Sequence, residues 1–140
     1  MAVARYLADT SALAGLHKPV VYDFLGPLIE AGLVGICSMV ELEILYSARS
    51  KGDYESRRAQ LEVGFERLPS PDEVWQRAVE VQEALARRGS HRGVKLPDLL
   101  IAATAERHGV VLLHYDVDYD NIAAITDQPT RWVVPPGTAD

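Results

Sequence analysis

The sequence predicts a three-layer α/β domain: a parallel sheet flanked by helices. Short, continuously apolar segments alternate with longer amphipathic ones, as they do when helices cover both faces of a parallel sheet. The longer segments repeat their apolar residues at helical spacing, whereas the apolar runs have strand length. With 140 residues, 48% of them hydrophobic, the chain suffices for one sizeable core, and one domain over residues 1–140 is expected.

Residues 3–8 (VARYLA) read as the first strand, ending at Asp9. Asp9, Thr10 and Ser11 are helix-capping types ahead of Ala12 and Leu13. Residues 20–31 set Val21, Leu25, Leu28 and Ile29 on one helical face, with Pro27 an imperfection. Residues 33–37 read as a second strand, and Cys37 within it as a small core residue rather than a reactive thiol. Ser38 and Glu41 have the spacing of a capping box, opening a helix through Ala48. Residues 53–68 read as one amphipathic helix, with Leu61, Phe65 and Leu68 on its stripe. Residues 71–88 read as another, built on Val74, Ala78, Val81 and Leu85.

Residues 89–95 (GSHRGVK) form a polar loop, and Pro97 suits the first turn of the next helix. That helix runs to His108 and is closed by Gly109. It is apolar nearly all round from Leu99 to Ala103, so it is expected at the centre of the molecule. A third strand at 110–113, an acidic loop at 115–121, a short helix at 121–126 and a last strand at 131–134 complete the chain.

No apolar run approaches the roughly 18 residues of a membrane helix. Arg5 and Asp9 interrupt the N-terminal stretch, so no signal peptide is expected and the cytoplasm is the expected location. The lone Cys37 has no intramolecular disulfide partner, and no cysteine cluster is present to bind zinc. The net charge of −6 opposes unspecific attraction to nucleic acid. The charges are unevenly spread: ten of the fourteen Lys and Arg residues lie between Arg49 and Lys95, against eight acids there. The acidic surplus at the two ends suits a cation site.

Ligands of open parallel sheets bind beyond the C-terminal ends of the strands. Asp9 ends the first strand, Glu43 lies one turn into the helix after the second, Asp98 opens the apolar helix and Asp116 follows the third strand. Carboxylates brought together repel one another and demand a counter-cation. Oxygen ligands without His or Cys favour Mg²⁺ or Mn²⁺ over zinc. Asp9 and Asp98 also have structural roles open to them, as a helix cap and as an acid at a helix N-terminus. Glu41 competes with Glu43, but the capping-box spacing gives it a structural task, and two residues apart the pair cannot share a helical face. Asp118 is a further candidate ligand, and Asp120 is expected to be solvated.

Four motifs carry a resemblance. They are Leu7-Ala8-Asp9-Thr10-Ser11-Ala12-Leu13, Glu43-Ile44-Leu45-Tyr46-Ser47-Ala48, Leu96-Pro97-Asp98-Leu99-Leu100-Ile101-Ala102-Ala103 and Leu112-Leu113-His114-Tyr115-Asp116-Val117-Asp118-Tyr119. In this order, over nearly the whole chain, they resemble the PIN-domain family, and within it the VapC-type toxins of bacterial toxin–antitoxin pairs. The resemblance implies a PIN-like fold and a Mg²⁺- or Mn²⁺-dependent endoribonuclease. Its catalytic acids would be Asp9, Glu43, Asp98 and Asp116, and its metal would sit on Asp9, Asp98, Asp116 and Asp118. Ser11 would support the ligand carboxylates. It further implies tRNA or rRNA as substrate, a VapB-type antitoxin as partner and a homodimer. His114 stands where the family often has Thr; contact with phosphate or a metal-held water, proton transfer, and a mere spacer are all open to it.

Arg88, Arg92 and Lys95 lead into Asp98 and are candidate RNA contacts, or else a solvated helix end complementing the helix dipole. Two other readings compete with the nuclease. A receiver-like Mg²⁺-binding signalling module needs a paired acid at its first strand and a late lysine, yet Asp9 has no acidic neighbour and no lysine follows Lys95. A non-catalytic PIN scaffold would be expected to lack one of the four acids, and all are present.

Overall fold

The apolar segments pair into one parallel sheet whose strand order reverses beside the first strand. The computed structural model describes residues 3–140. The strands are β1 (Tyr6–Ala8), β2 (Val34–Ile36), β3 (Glu66–Arg67), β4 (Val111–His114) and β5 (Thr130–Trp132). They lie in the order β3-β2-β1-β4-β5, with every neighbouring pair parallel. This is not the 2-1-3-4-5 order of flavodoxin-like receiver domains. The chain builds outward from β1 through β2 to β3, then returns to the other side of β1 for β4 and β5. The crevice at such a reversal, between β1 and β4, is where parallel sheets place ligands.

The helices are α1 (Thr10–Leu13), α2 (Pro19–Glu30), α3 (Ser38–Tyr46), α4 (Lys51–Gly64), α5 (Asp72–Arg87), α6 (Leu96–His108) and α7 (Asp118–Thr126). Leu7 and Leu112 join one apolar cluster, while their neighbours Ala8 and Leu113 join the other. Successive strand residues point to opposite faces, so this division shows a sheet covered on both sides. The helix α6 is the central one, packed against α5, α7 and α3 and burying residues from Asp98 to Ala105. Gly109 ends it in the left-handed conformation at φ 66°, which a residue without a Cβ adopts freely. Pro27 lies inside α2 at an exposed position.

Three expectations are corrected. Residues 53–68 are not one helix: α4 ends at Gly64, Phe65 turns extended at φ −134° and ψ 142°, and β3 follows. The pairing of β3 with β2 overrides the helical spacing of Phe65 and Leu68. The register sets Gly35 opposite Glu66 and Ile36 opposite Arg67, and Leu68 N–H donates to the Ile36 carbonyl at 2.9 Å. Ser38 and Glu41 form no capping box, because the N-cap of α3 is Cys37, and the Glu41 carboxylate accepts from Arg67 at 2.6 Å instead. The acidic loop is shorter than expected. Asp118 N–H donates to Asp116 Oδ1 at 2.9 Å, and α7 starts at Asp118. The remaining strands are trimmed at their ends: Ala4 N–H, for example, is taken by the Glu66 carboxylate at 2.8 Å rather than by a neighbouring strand.

Gly35 is what lets β3 approach. A Cβ there would lie 2.9 Å from Leu68 Cγ and 3.0 Å from the Glu66 carbonyl oxygen. Gly35→Val should therefore destabilise the fold by about 1–3 kcal/mol, the usual effect of overpacking. Urea denaturation checks this, and an unchanged midpoint would mean that β3 is not held against β2 in solution.

Candidate metal centre

The reversal of strand order brings the acids of four segments to one edge of the sheet. Asp9 directly follows β1, and its backbone N–H donates to the Leu113 carbonyl of β4 at 2.9 Å. It is the N-cap of α1, so one side-chain oxygen, Oδ2, accepts from the backbone N–H of Ser11 at 3.0 Å and also from its hydroxyl. The Ser11 hydroxyl in turn accepts from Tyr115 N–H at 2.9 Å, tying the end of β1 to the end of β4. The other oxygen of Asp9 is held by Tyr119. The phenolic proton of this fully buried residue is shared between Asp9 Oδ1 at 2.7 Å and Asp98 Oδ1 at 3.1 Å. Tyr119 thus bridges the acid of β1 to the acid of α6, and burial together with the two neighbouring acids raises its pKa well above the ordinary value.

Asp98, Asp116 and Asp118 converge more closely: one oxygen from each lies within 4.8 Å of the others. Lys95, just ahead of α6, inserts its ammonium among them. Its Nζ donates to Asp116 Oδ2 and Asp118 Oδ2, each at 3.0 Å, and stands 3.5 Å from Asp98 Oδ2. These acids raise the Lys95 pKa, chiefly through the hydrogen bond to Asp116. Asp98 is the most perturbed acid of the group. Burial first, then the hydrogen bond to Asp118 and the charge of Asp9, push its carboxyl up to about 8. Its partner Asp118 is lowered by its bonds to Asp98 and Lys95, which outweigh its burial. The opposite directions describe one proton held on Asp98 and a carboxylate on Asp118.

Glu43 joins from α3. Its carboxylate accepts from the Thr10 hydroxyl at 2.8 Å, and burial raises its pKa, with Asp9 adding to the rise. Glu41, on the same helix, is turned to Arg67. Asp120 is exposed, as expected, and its two oxygens also accept from the Trp132 indole N–H at 3.1 and 3.2 Å. Arg88 lies exposed ahead of a 3₁₀ turn at His91–Gly93 and Arg92 lies exposed within it; this turn replaces part of the expected loop. Lys95 is exposed as well, but its ammonium is paired with acids. That ammonium is engaged by the carboxylates of Asp116 and Asp118.

His114 does not reach the surface. It is fully buried, its ring 5.0 Å from those of both Tyr119 and Trp132, and its Nδ1 accepts from Asp116 N–H at 3.2 Å. Burial lowers its pKa, so the ring is neutral, with its proton on Nε2. Its ring packs at a tilt against that of Tyr119, and its full burial keeps it from contact with solvent. Cys37 is buried, and burial raises its thiol pKa, which leaves it a core residue. Sequence reasoning missed Tyr119, Thr10 and the pairing of Lys95 with the acids. The spacing of Lys95 three residues before Asp98 was the available signal.

The residues fit a divalent cation. Asp98 Oδ2 is buried without a hydrogen-bond donor among the described residues, and it faces the cluster. The donor set is all carboxylate oxygen, the preference of hard cations such as Mg²⁺ and Mn²⁺.

Fold and site together define an α/β protein with a carboxylate cluster able to hold a cation at the reversal of its strand order. The chain belongs to the PIN-domain family, whose model matches residues 6–125. It is 50% identical over 135 residues to Ribonuclease VapC21 of Mycobacterium tuberculosis, an alignment covering 96% of this chain and 98% of that one. It is 46% identical over 136 residues to Ribonuclease VapC51 of the same organism, covering 97% and 98%. Among solved structures, DNA-bound VapBC from Salmonella typhimurium matches with a TM-score of 0.75 at 17% identity, over 94% of this chain and all of that one. VapBC-5 of M. tuberculosis, from the VapBC family of toxin-antitoxin systems, matches with a TM-score of 0.56 at 24% identity, over 91% and 97%. At these identities the structural likeness is one of fold.

The raised carboxyl of Asp98 makes metal-free stability depend on pH. Between the ordinary aspartate value of 3.8 and about 8, the unfolded chain has released a proton that the fold retains. Stability therefore falls as pH rises through that interval, and this contribution is flat below it. The lowered value of Asp118 acts only at the acid end, where stability falls as pH drops. In EDTA, wild type should lose more melting temperature than Asp98→Asn between about pH 5 and pH 8. At the upper end the variant should melt higher. Parallel melting curves for the two proteins would contradict the shift.

Proposed function

We propose that this protein, one domain over residues 1–140, is a divalent-metal-dependent endoribonuclease and the toxin of a toxin–antitoxin pair. It cleaves structured RNA, tRNA or rRNA, in the cytoplasm and so inhibits translation and growth. One observation carries this most: the buried, donor-less Asp98 oxygen meets Asp116 and Asp118 in a chain half-identical to a ribonuclease over nearly the full length of both. No helix among the described residues is long and apolar enough to cross a membrane.

Asp9, Asp98, Asp116 and Asp118 are the residues that would hold Mg²⁺ or Mn²⁺. A cation bound there supplies Lewis acidity, neutralising charge on a phosphodiester and acidifying water. The protein's own groups do the rest. Ser11 and Tyr119 fix both oxygens of Asp9, so the carboxylate needs no reorientation. Glu43, raised by burial and held by Thr10, is the group placed to take or return a proton. Arg88 and Arg92, exposed on the segment that leads to Asp98, would meet the RNA backbone. A VapB-type antitoxin is the expected partner, since the solved structures that share this fold include members of toxin–antitoxin systems. A homodimer is supported by the exposed apolar residues Trp75, Val79 and Leu96 on neighbouring parts of α5 and α6.

Incubation of the purified protein with RNA tests this directly. Cleavage should require Mg²⁺ or Mn²⁺ and stop in EDTA. Loss of a group that merely supports a metal ligand costs about 10–100-fold, so Asp9→Ala and Asp98→Ala should each lower the rate by more than about a hundredfold. The same variants should not inhibit growth when expressed without an antitoxin. Replacing Arg88 and Arg92 with Ala should flatten the salt dependence of RNA binding, by about 0.7 in log–log slope for each phosphate that is no longer neutralised. Cleavage that persists in excess EDTA would contradict the metal-dependent reading, and an unchanged slope would place the RNA elsewhere.

A further inference from the structure

The ammonium of Lys95 occupies the place proposed for a metal. Three features define how it is held. Its backbone is anchored, since Lys95 N–H donates to Asp118 Oδ2 at 3.2 Å and the residue caps α6. Its ammonium is paired with the three carboxylates, two of which accept its protons at 3.0 Å. Its side chain stays accessible: that of Lys95 is 63% exposed, against 5% for Asp98, 21% for Asp116 and 8% for Asp118. The acids are fixed by the fold, whereas the cation reaches them from solvent along a flexible four-carbon arm. Swinging that arm away disturbs no apolar packing.

The ammonium and a metal ion are also alternatives. Asp116 Oδ2 and Asp118 Oδ2 accept from Nζ, and the three carboxylates grouped closely enough to ligate a cation are the three that surround it. Two cations at that separation repel strongly. Without either, Asp98 Oδ2 and its neighbours would face one another uncompensated. The site therefore has two filled states and no good empty one.

We propose that Lys95 is the resident counter-cation of this centre: its ammonium fills the carboxylate cluster in the metal-free protein and leaves when a divalent ion enters. The proposal rests on the cluster being a metal centre. It makes Lys95 a residue that sets the metal concentration at which the enzyme loads and that keeps the unloaded acids folded. A site filled by its own ammonium about nine-tenths of the time has its apparent metal affinity lowered about tenfold.

Two measurements on the full chain test this. The first is calorimetric titration with Mn²⁺ of wild type and Lys95→Gln. The variant should bind Mn²⁺ about tenfold more tightly. In EDTA it should melt below wild type, and Mn²⁺ should close the gap. The second needs only wild type: amine acetylation read by mass spectrometry, in EDTA and in saturating Mn²⁺, with the exposed Lys51 as internal reference. Lys95 should be slow to react in EDTA and approach Lys51 once Mn²⁺ is added. This arm decides the matter if the variant does not fold without metal. It also separates expulsion from a simple change in site charge, because tighter binding by the variant with no release of Lys95 overturns the exchange. Equal or weaker Mn²⁺ binding by the folded variant overturns it as well. If neither protein binds Mn²⁺, the metal-centre reading itself falls, and the role of Lys95 with it.

Discussion

The arrangement depends on one electrostatic constraint: carboxylates crowded at the end of a parallel sheet must share a proton or a cation. Asp98 meets it by holding its proton up to about pH 8, Asp118 by pairing with Lys95, and Asp9 by accepting from Ser11 and Tyr119. A divalent ion held by these carboxylates would relieve the same repulsion that the Asp98 proton and the Lys95 ammonium relieve in its absence.

The fold supplies the crowding. The return of the chain from β3 across β1 to β4 sets the ends of β1 and β4 side by side, so Asp9 and Asp116 become neighbours despite their separation in sequence. The helix α6 then brings Asp98 up from the centre of the molecule, on an element too well buried to drift. Tyr119 closes the arrangement, with its ring inside the core beside His114 and its hydroxyl between two acids. Core packing and site geometry are here the same interaction. A rigid second layer of this kind is what holds metal ligands to a productive orientation.

Much of this was legible in the sequence, and the gaps have physical causes. Apolar runs and helical stripes located four of the strands and six of the helices to within a few residues, because burial on both sheet faces leaves that pattern. The strand β3 was invisible. It has two residues, Glu66 and Arg67, both exposed, and exists because Gly35 leaves room beside it. The opening of α3 was misread because Ser38 and Glu41 have the spacing of a capping box, whereas Arg67, a tertiary partner, claims Glu41. In the site, the acids stood out as strand-end residues. The groups that hold them did not, since Tyr119 looks like any core aromatic and Lys95 like part of a basic loop. Direction of a side chain is set by packing, which spacing alone does not encode.

The central claim is that this cluster exchanges its internal compensation for a divalent ion. Diffraction from crystals grown with Mn²⁺, recorded at the manganese absorption edge, tests it most directly. The expected result is an anomalous peak among the carboxylates of Asp98, Asp116 and Asp118, with the Lys95 ammonium withdrawn from them. A peak elsewhere, or none while Lys95 remains in place, would contradict it.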